Sequence, residues 1–328
     1  MLSSTLSNLS PRALPKNSTV VRSQTTMRLT RAALQAAYAV SEDLGTSFAE
    51  RLFSSPRRHT RPERERQVLA ASHRFAIGVA LRSPGRRGEH RRVAAWRWGH
   101  GPTALLVHGW EGRGAQLGGF VEPLVRAGLS VVAFDAPAHG DTAGHRLYLA
   151  DLADCVVDVA RAVGPLHAVV AHSLGAAAVV MAHQRGGVDA RRNAMISPNA
   201  IISDAIARFA RRVGLDDADR ARFELQLAHS NGVTVEALGV EQLVGRRDAA
   251  LLVIHDRDDR EVPFTHGERL AAAWCNAALH ATTGLGHRRI LRDEAVIAEV
   301  VAFAADGVAA PASELVREVD RLLAQGGM

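Results

Sequence analysis

The chain has 328 residues, of which 47% are hydrophobic, and it carries a formal net charge of +6. No uninterrupted apolar run approaches the roughly 18 residues that a membrane-spanning helix needs, so the composition excludes an integral membrane protein. Lys16 is the only lysine among the 40 basic residues, and the arginines are scattered over the whole chain, which argues against nucleic-acid binding. Cys155 and Cys275 lie too far apart for a metal-ligand spacing, and two cysteines make no disulfide framework.

The first 26 residues are rich in serine and threonine and contain no acidic residue. They lack the apolar core of a secretory signal, and the composition resembles that of a transit peptide, with a disordered extension as the alternative that we favour. We therefore expect residues 1–26 to be disordered and the protein to be cytoplasmic.

An amphipathic helix is predicted after this extension. Its apolar residues share one face at helical spacing; they are Leu34, Tyr38, Leu44, Phe48 and Leu52. We expect this helix to pack on its own domain, with a peripheral membrane or partner contact as the alternative. Two basic runs follow, at 57–66 and 82–92, with a short helix between them. Such charge runs are typical of solvated connectors, so residues 27–91 form a helical segment and a basic connector.

Beyond residue 92, short aliphatic runs alternate with alanine-rich stretches of helical length. The aliphatic runs cover residues 93–98, 103–109, 130–137, 167–173, 194–197, 250–256 and 277–283. Strands that alternate with helices predict an α/β fold, with a mostly parallel central sheet flanked by helices on both faces. We expect residues 92–328 to form this single domain.

Polar residues follow several of the predicted strands directly. They are His108, Asp135, Ser173, the aspartates within 256–259, and His287. Ligands of parallel sheets bind beyond the carboxyl ends of the strands, where these side chains are expected to meet. The sequence therefore predicts a functional site at this edge.

Ser173 lies where an aliphatic strand meets a small-residue helix, in the sequence AHSLG. A sharp turn at such a joint projects a serine hydroxyl from the sheet, and G-x-S-x-G marks that turn; Ala171 replaces the first glycine but is still small. A nucleophilic serine needs a base, an acid that orients the base, and donors for the developing oxyanion. His287 is the candidate base, and the acid is one of the three aspartates in residues 255–259.

This arrangement resembles the α/β-hydrolase fold of the serine-esterase type, because the serine, the acid and the histidine occur in that family's order and each follows a predicted strand. The family's acid turn reads G-x-x-D-x-x-V-P, and residues 262–263 align with its end. The resemblance thus implies Asp259 as the acid, with Asp258 as the alternative. It places Asp256 at the usual glycine, where an aspartate tolerates the turn conformation.

The resemblance extends to the loops beside the serine. The sequence HGW at 108–110 matches the family's oxyanion loop, which implies that the backbone N–H groups of Trp110 and Leu174 hold the oxyanion and that His108 is structural. The sequence DAPAHGDTAG is similar to a second family loop, so we expect Asp135 and His139 to shape that loop rather than to catalyse.

About fifty residues separate two of the predicted strands, where the bare fold needs one connecting helix. We interpret residues 199–245 as a small helical lid, whose apolar residues either line an acyl pocket or bury the underside of the lid. The residues that we assign to the substrate pocket are His172, Phe209, Phe223 and Leu227.

Taken together, these residues predict a serine hydrolase that cleaves a small-molecule carboxylic ester or thioester through an acyl-enzyme. The chemistry needs no metal and no other cofactor. A non-catalytic binding module of the same fold is the alternative from another class, and a peptidase or a C–C hydrolase is the alternative within the fold. The oligomeric state is left open.

Overall fold

The computed structural model describes residues 18–239 and 249–308 of the chain, with side chains from residue 25 onward. Its strands are β1 (His73–Ala80), β2 (His90–Trp98), β3 (Thr103–Val107), β4 (Ser130–Phe134), β5 (Leu166–His172), β6 (Ala190–Ile196), β7 (Ala250–Asp256) and β8 (Ala277–Thr282). Its α-helices are α1 (Ser18–Val40), α2 (Glu42–Ser54), α3 (Glu63–Ala70), α4 (Val121–Arg126), α5 (Leu149–Val163), α6 (Leu174–Gln184), α7 (Ile202–Val213), α8 (Asp217–Asn231), α9 (Thr265–Ala273), α10 (Gly286–Arg289) and α11 (Glu294–Ala305). These elements confirm the predicted α/β fold.

Within the described residues, the strands form one eight-stranded sheet in the order β1-β2-β4-β3-β5-β6-β7-β8. β2 runs antiparallel to both of its neighbours, whereas the strands from β4 to β8 pair in parallel. The register pairs Val107 with Ala171 and His172 with Ile196. The carboxyl ends of the central strands therefore form one edge, and the segments that follow them meet there.

The central strands are covered on both faces. β3 and β4 bury every one of their residues, as expected of strands that read as continuous apolar runs. Leu105 and Val107 belong to the core with α5 and α6, whereas Ala104 and Leu106 belong to the core with α4 and α11. This alternation follows from the two-residue period of a strand.

The short helix expected between the two basic runs corresponds to α3, which ends at Ala70, and residues 73–80 in front of the second run form the strand β1. β1 pairs antiparallel with β2, with Ile77 opposite Val93. Ile77 and Val79 are buried, whereas Ala76 and Gly78, which alternate with them along the strand, are exposed. This is the alternation of an edge strand, and the sheet therefore begins upstream of residue 92.

The second basic run, residues 82–92, is largely exposed, and two of its arginines also form ion pairs with α5. The Arg86 guanidinium lies 2.6 Å from the carboxylate of Asp151, and Arg82 lies 2.8 Å from that of Asp158. Both aspartates belong to α5, so these contacts fix the β1–β2 connection to that helix. Because Asp151 is fully buried, removal of Arg86 would leave a desolvated charge without its counter-ion.

The predicted amphipathic helix of the N-terminal segment consists of two helices, α1 and α2. Ser41 between them is extended, with φ −163° and ψ 139°. The break places the Tyr38 ring on the backbone of Gly45, where an added Cβ would lie 2.2 Å from the ring. The two helices therefore fold back onto each other at a position that only glycine tolerates.

α1 begins at Ser18, inside the stretch 1–26 that we expected to be disordered, whereas residues 1–17 lie outside the described part of the chain. No helix among the described residues combines the length and the apolar character needed to cross a bilayer.

The helical lid is formed by α7 and α8, which lie between β6 and β7. The turn between these helices uses Gly214 at φ 79°, and α8 begins behind Asp216, whose carboxylate accepts the N–H of Asp219 at 2.8 Å. α2 packs against α8, so the N-terminal helices and the lid are neighbours. The last part of the expected lid, residues 240–245, lies outside the described residues.

Candidate active site

Ser173 occupies the sharp turn between β5 and α6. Its backbone is left-handed, with φ 54° and ψ −121°, a conformation that costs a non-glycine residue about 1–3 kcal/mol. Hydrogen bonds hold the turn from both sides, because the Ser173 N–H donates to the carbonyl of Ile196 and its carbonyl accepts the N–H of Asn199, both at 3.1 Å. The strained turn projects the hydroxyl beyond the edge of the sheet.

Small residues make this turn possible. A Cβ on Gly175 would lie 2.6 Å from the carbonyl oxygen of His108, and a Cβ on Gly109 would lie 2.8 Å from the Cβ of Ser173. Ala171 is fully buried on β5, and its methyl group is accommodated where the family motif has glycine. The requirement for glycine therefore falls on the loop after β3 and on the first turn of α6.

His287 reaches Ser173 from α10, in the segment after β8. Its Nε2 lies 3.0 Å from the Ser173 Oγ, and its Nδ1 lies 2.7 Å from Oδ2 of Asp259. All three side chains are at least nine-tenths buried. The serine, the histidine and the aspartate thus form one continuous chain of hydrogen bonds.

Asp259 is held in place as an ionised acceptor. Its Oδ1 accepts the backbone N–H groups of Glu261 and Val262 at 2.8 and 2.9 Å, and His255 Nε2 lies 3.4 Å from Oδ2. Burial, the largest influence, acts to raise the pKa of Asp259, but the hydrogen bonds from His255 and His287 outweigh it and hold the pKa below its usual range. A carboxylate fixed in this way can orient the imidazole.

The other two aspartates of this turn brace the loop around it. Asp256 accepts the Thr282 hydroxyl at 2.7 Å and the Leu285 N–H at 3.0 Å. Asp258 accepts the Gly284 N–H at 2.8 Å. Both carboxylates therefore position the segment that carries the histidine, without contacting its ring.

The backbone donors expected for an oxyanion flank the serine. Leu174 is the first residue of α6, so its N–H is one of the groups that a helix start leaves without a partner inside the helix. Trp110 follows β3 in a loop fixed by His108, which bonds the Gly109 carbonyl at 2.8 Å through Nδ1 and accepts the Ala136 N–H at 3.0 Å. His108 therefore ties the Trp110 loop to the end of β4.

Glu111 connects that loop to the first basic run. It has φ 54°, and its N–H donates to His139 Nε2 at 3.1 Å. Its carboxylate accepts the backbone N–H of Arg57 at 3.1 Å and lies 3.3 Å from His59 Nε2. The segment after α2 is therefore bonded to the residue that follows Trp110.

Asp135 shapes the loop after β4. It accepts the N–H groups of Gly114 and Asp141, both at 2.7 Å, and Arg61 lies 3.5 Å away. Burial raises the pKa of Asp135 to about 6. These contacts join the loops after β3 and β4, consistent with the shaping role that we expected.

His172 lies behind the site rather than in a substrate pocket, which corrects its assignment. It is buried, and its Nε2 lies 3.0 Å from the carbonyl oxygen of His287. Burial, reinforced by His287, lowers the pKa of His172 to about 3, so it is a neutral donor. Nothing in the sequence around His172 predicts this hydrogen bond to the loop that carries His287.

A cavity of about 650 Å³ opens beside the sharp turn at Ser173, with Trp110 and Leu174 in its wall. Of the pocket residues that we predicted, Phe209 and Leu227 line it. Phe223 of α8 does not line the cavity, because its side chain is fully buried, with its ring centre 5.2 Å from that of Phe209. α1 and α2 also contribute to the wall, although no pattern in the sequence assigned them to the pocket.

Neither a metal centre nor a disulfide is formed by the described residues. Within 18–239 and 249–308, no group of three or more His, Cys, Asp or Glu side chains is arranged to hold a metal ion. Cys155 is buried and Cys275 is exposed, and both are free thiols. Burial raises the pKa of Cys155 well above its ordinary value, which leaves it an uncharged side chain of the core.

We expect the protein to lose stability steeply on acidification. Burial lowers the pKa of His108 and His172 to about 3 and that of His139 and His266 to about 4, against 6.5 in an unfolded chain. Below about pH 6.5 these histidines therefore bind protons in the unfolded chain but not in the folded protein. The free energy of unfolding falls by about 2 kcal/mol per histidine by pH 5. The raised pKa of Asp135 acts in the opposite direction and offsets part of this loss.

Urea denaturation followed by circular dichroism at neutral pH and at about pH 5 measures this effect. The free energy of unfolding should fall by several kcal/mol at the lower pH, and the midpoint should fall with it. Equal midpoints at the two pH values would mean that these histidines are not held neutral by the fold.

The sequence profile described as "Alpha/beta hydrolase family" matches residues 104–300. The match covers more than half of the chain and begins inside β3, so the N-terminal helices, β1 and β2 precede it. No curated protein matches the sequence.

Solved structures similar to this one include esterases and other hydrolases. Est1E from Butyrivibrio proteoclasticus, solved with ferulic acid bound, has a TM-score of 0.55 at 18% identity, over 66% of this chain and 95% of its own. An esterase of Pyrococcus furiosus has a TM-score of 0.55 at 16% identity, over 76% and 96% of the two chains. The meta-cleavage product hydrolase of Pseudomonas fluorescens has a TM-score of 0.50 at 17% identity, over 70% and 98%. At these identities the likeness is one of fold.

Proposed function

Because the chain belongs to the alpha/beta hydrolase family, we propose that it is a serine hydrolase that cleaves a carboxylic ester or thioester through an acyl-enzyme. The observation that carries this proposal is the hydrogen-bonded chain from Ser173 through His287 to Asp259, with distances of 3.0 and 2.7 Å. These distances lie within the range that a nucleophile, its base and the orienting acid require before substrate binds.

In the acylation step, the Ser173 Oγ attacks the substrate carbonyl while His287 Nε2 takes the hydroxyl proton. Asp259 accepts the Nδ1–H and stabilises the imidazolium that forms. The negative charge develops on the former carbonyl oxygen, and we assign the backbone N–H groups of Trp110 and Leu174 as the donors that bind it. When the tetrahedral intermediate collapses, the bond to the alcohol or thiol breaks and His287 gives its proton to the leaving group.

In the deacylation step, water takes the place of the leaving group. His287 removes a proton from the water as it attacks the acyl carbonyl, and a second tetrahedral intermediate forms on the same oxyanion donors. Collapse of that intermediate breaks the ester bond to Ser173 and returns the proton to its Oγ. The carboxylic acid leaves, and the enzyme is restored without net change.

The contacts of the three side chains favour this proposal over a non-catalytic binding module. A binding module would need neither a strained backbone at Ser173 nor a buried imidazole bonded to both neighbours. A peptidase or C–C hydrolase would use the same side chains, so only the substrate separates those alternatives from an esterase.

Covalent labelling tests the proposal directly. A fluorophosphonate should modify the native protein in a single position, and mass spectrometry of the digested adduct should place the phosphonyl group on Ser173. Heat-denatured protein is the control, because the reaction needs the assembled base and oxyanion donors. Failure of the native protein to react, or reaction at other serines only, would overturn the proposal.

A substrate panel then identifies the subclass. p-Nitrophenyl esters, an acyl thioester and an aminoacyl anilide are compared by kcat/KM. Turnover of the ester or the thioester with little of the anilide is the expected result.

A further inference from the structure

Part of the wall of the cavity beside Ser173 is formed by residues that precede the family-matched residues 104–300. Met27 and Thr30 of α1 line it, together with Leu52 and Phe53 of α2. The N-terminal helices α1 and α2 therefore line the same cavity as Trp110 and the lid helices.

One face of α1 is turned toward this cavity. Met27 and Thr30 are partly buried, and Leu34, one turn further along the same face, is 1% exposed. Leu29 on the opposite face is 66% exposed. The helix thus has an inner and an outer side, and Met27 and Leu29 are apolar residues on opposite sides of one turn.

The N-terminal helices α1 and α2 pack against the lid helices, and together they form one wall of the cavity. Arg31 Nε of α1 donates to the carbonyl oxygen of Arg212 at the end of α7, at 2.7 Å. The Phe53 ring of α2 lies 5.1 Å from that of Phe209 and 5.5 Å from that of Phe223, edge to face in both cases. These contacts hold α1 against α7, and α2 against both lid helices.

The chemistry of this wall suits an apolar group. Met27, Leu52 and Phe53 present apolar side chains, and the Thr30 hydroxyl donates to the Thr26 carbonyl within α1 at 2.9 Å. The volume of about 650 Å³ is in the middle of the range of about 300–1,000 Å³ for sites that enclose a ligand of drug size. A short acyl group such as acetyl would leave most of it empty.

We propose that α1 and α2 form the distal end of the acyl pocket, and that the substrate carries a long apolar acyl group whose far end contacts Met27. This inference rests on the proposed serine-hydrolase function, since it concerns the acyl group that Ser173 would accept. It makes Met27 and Thr30 specificity-determining residues on a segment outside the matched family region.

The test compares acyl-chain profiles of the wild type, Met27→Trp and Leu29→Trp in the full-length protein. For each protein, kcat/KM is measured on p-nitrophenyl acetate, butyrate, octanoate, laurate and palmitate. Met27→Trp should lower the ratio of long-chain to short-chain kcat/KM by about tenfold or more, because each methylene excluded from an apolar pocket costs about tenfold or more. Leu29→Trp adds the same ring to the outer face and should leave the profile unchanged.

Thr30→Phe is the second blocking variant, and it decides the matter if Met27→Trp does not fold, as judged by its urea midpoint. A wild type that prefers acetate, or blocking variants with the wild-type chain-length ratio, would overturn the inference while the serine-hydrolase proposal stands. Failure of the native protein to react with the fluorophosphonate would instead overturn the underlying function.

Discussion

Ser173→Ala is expected to reduce kcat for ester hydrolysis by a factor on the order of 10⁶, the loss found when a triad serine is removed. Without the Oγ there is no nucleophile, and His287 Nε2 loses the partner that it has at 3.0 Å. Any remaining rate should come from water attack assisted by the oxyanion donors. The measurement is kcat and kcat/KM on the best ester of the panel, with the urea midpoint of the variant as the test of folding.

Ser197→Ala is the matched control for this experiment. Ser197 is also a buried serine with a left-handed backbone, at φ 45°, and it follows the neighbouring strand β6. It differs from Ser173 in having no hydrogen bond to His287. Ser197→Ala should therefore keep its activity, and equal losses in the two variants would point to damage of the sheet edge rather than loss of a nucleophile.

Asp259→Asn is expected to lower kcat by about 10⁴-fold with little change in KM. The Asp259 carboxylate accepts the His287 Nδ1–H at 2.7 Å, whereas an amide can turn its NH₂ toward that nitrogen and favour the tautomer with its proton on Nε2. An imidazole in that tautomer cannot take the serine proton. The low pKa of Asp259 keeps the wild-type carboxylate ionised at neutral pH, so the loss should persist across the neutral range.

Asp258→Asn is the control that separates the two aspartates. Asp258 accepts the Gly284 N–H at 2.8 Å and does not contact the histidine ring. Its replacement should cost stability through one loop hydrogen bond, about 1 kcal/mol, with kcat within a few-fold of the wild type. A larger loss of kcat in Asp258→Asn than in Asp259→Asn would reverse the assignment of the acid.

The strands of the sheet and the polar residues at their ends could be predicted from the sequence because both depend on local patterns. A buried parallel strand is a continuous apolar run, and the turn at Ser173 needs small neighbours that the sequence displays. The spacing from Asp259 to residues 262–263 pointed to the acid, although the prediction rested on a family resemblance. The hydrogen bonds of Asp256 and Asp258 to the β8–α10 loop have no such local signature.

β1 and the α1–α2 break could not be predicted because tertiary contacts decide them. β1 is an edge strand that alternates over only a few residues, so its apolar positions also fit a short helix. The helical period runs on across Ser41, and the break there depends on how Tyr38 meets Gly45. Periodicity reports which residues are buried, but not which partner buries them.

Two of the four pocket assignments, His172 and Phe223, failed for the same reason. Phe209 and Phe223 are both apolar residues of lid helices, but Phe209 lines the cavity whereas Phe223 packs behind it against α2. Similarly, His172 precedes Ser173 in sequence but supports the histidine loop from behind. Which side of an element faces a cavity depends on the partner elements, which the sequence does not identify.

The packing of Phe53 against Phe209 and Phe223 has a consequence for biosynthesis. A ribosome releases α2 long before α7 and α8, and at about 5–20 residues per second the interval is roughly 10–30 s. During that time the Phe53 ring lacks its partners Phe209 and Phe223 and is exposed to chaperones and to other nascent chains. α2 thus reaches these native contacts only after α7 and α8 have been synthesised, and the cavity that all three helices line is completed only then.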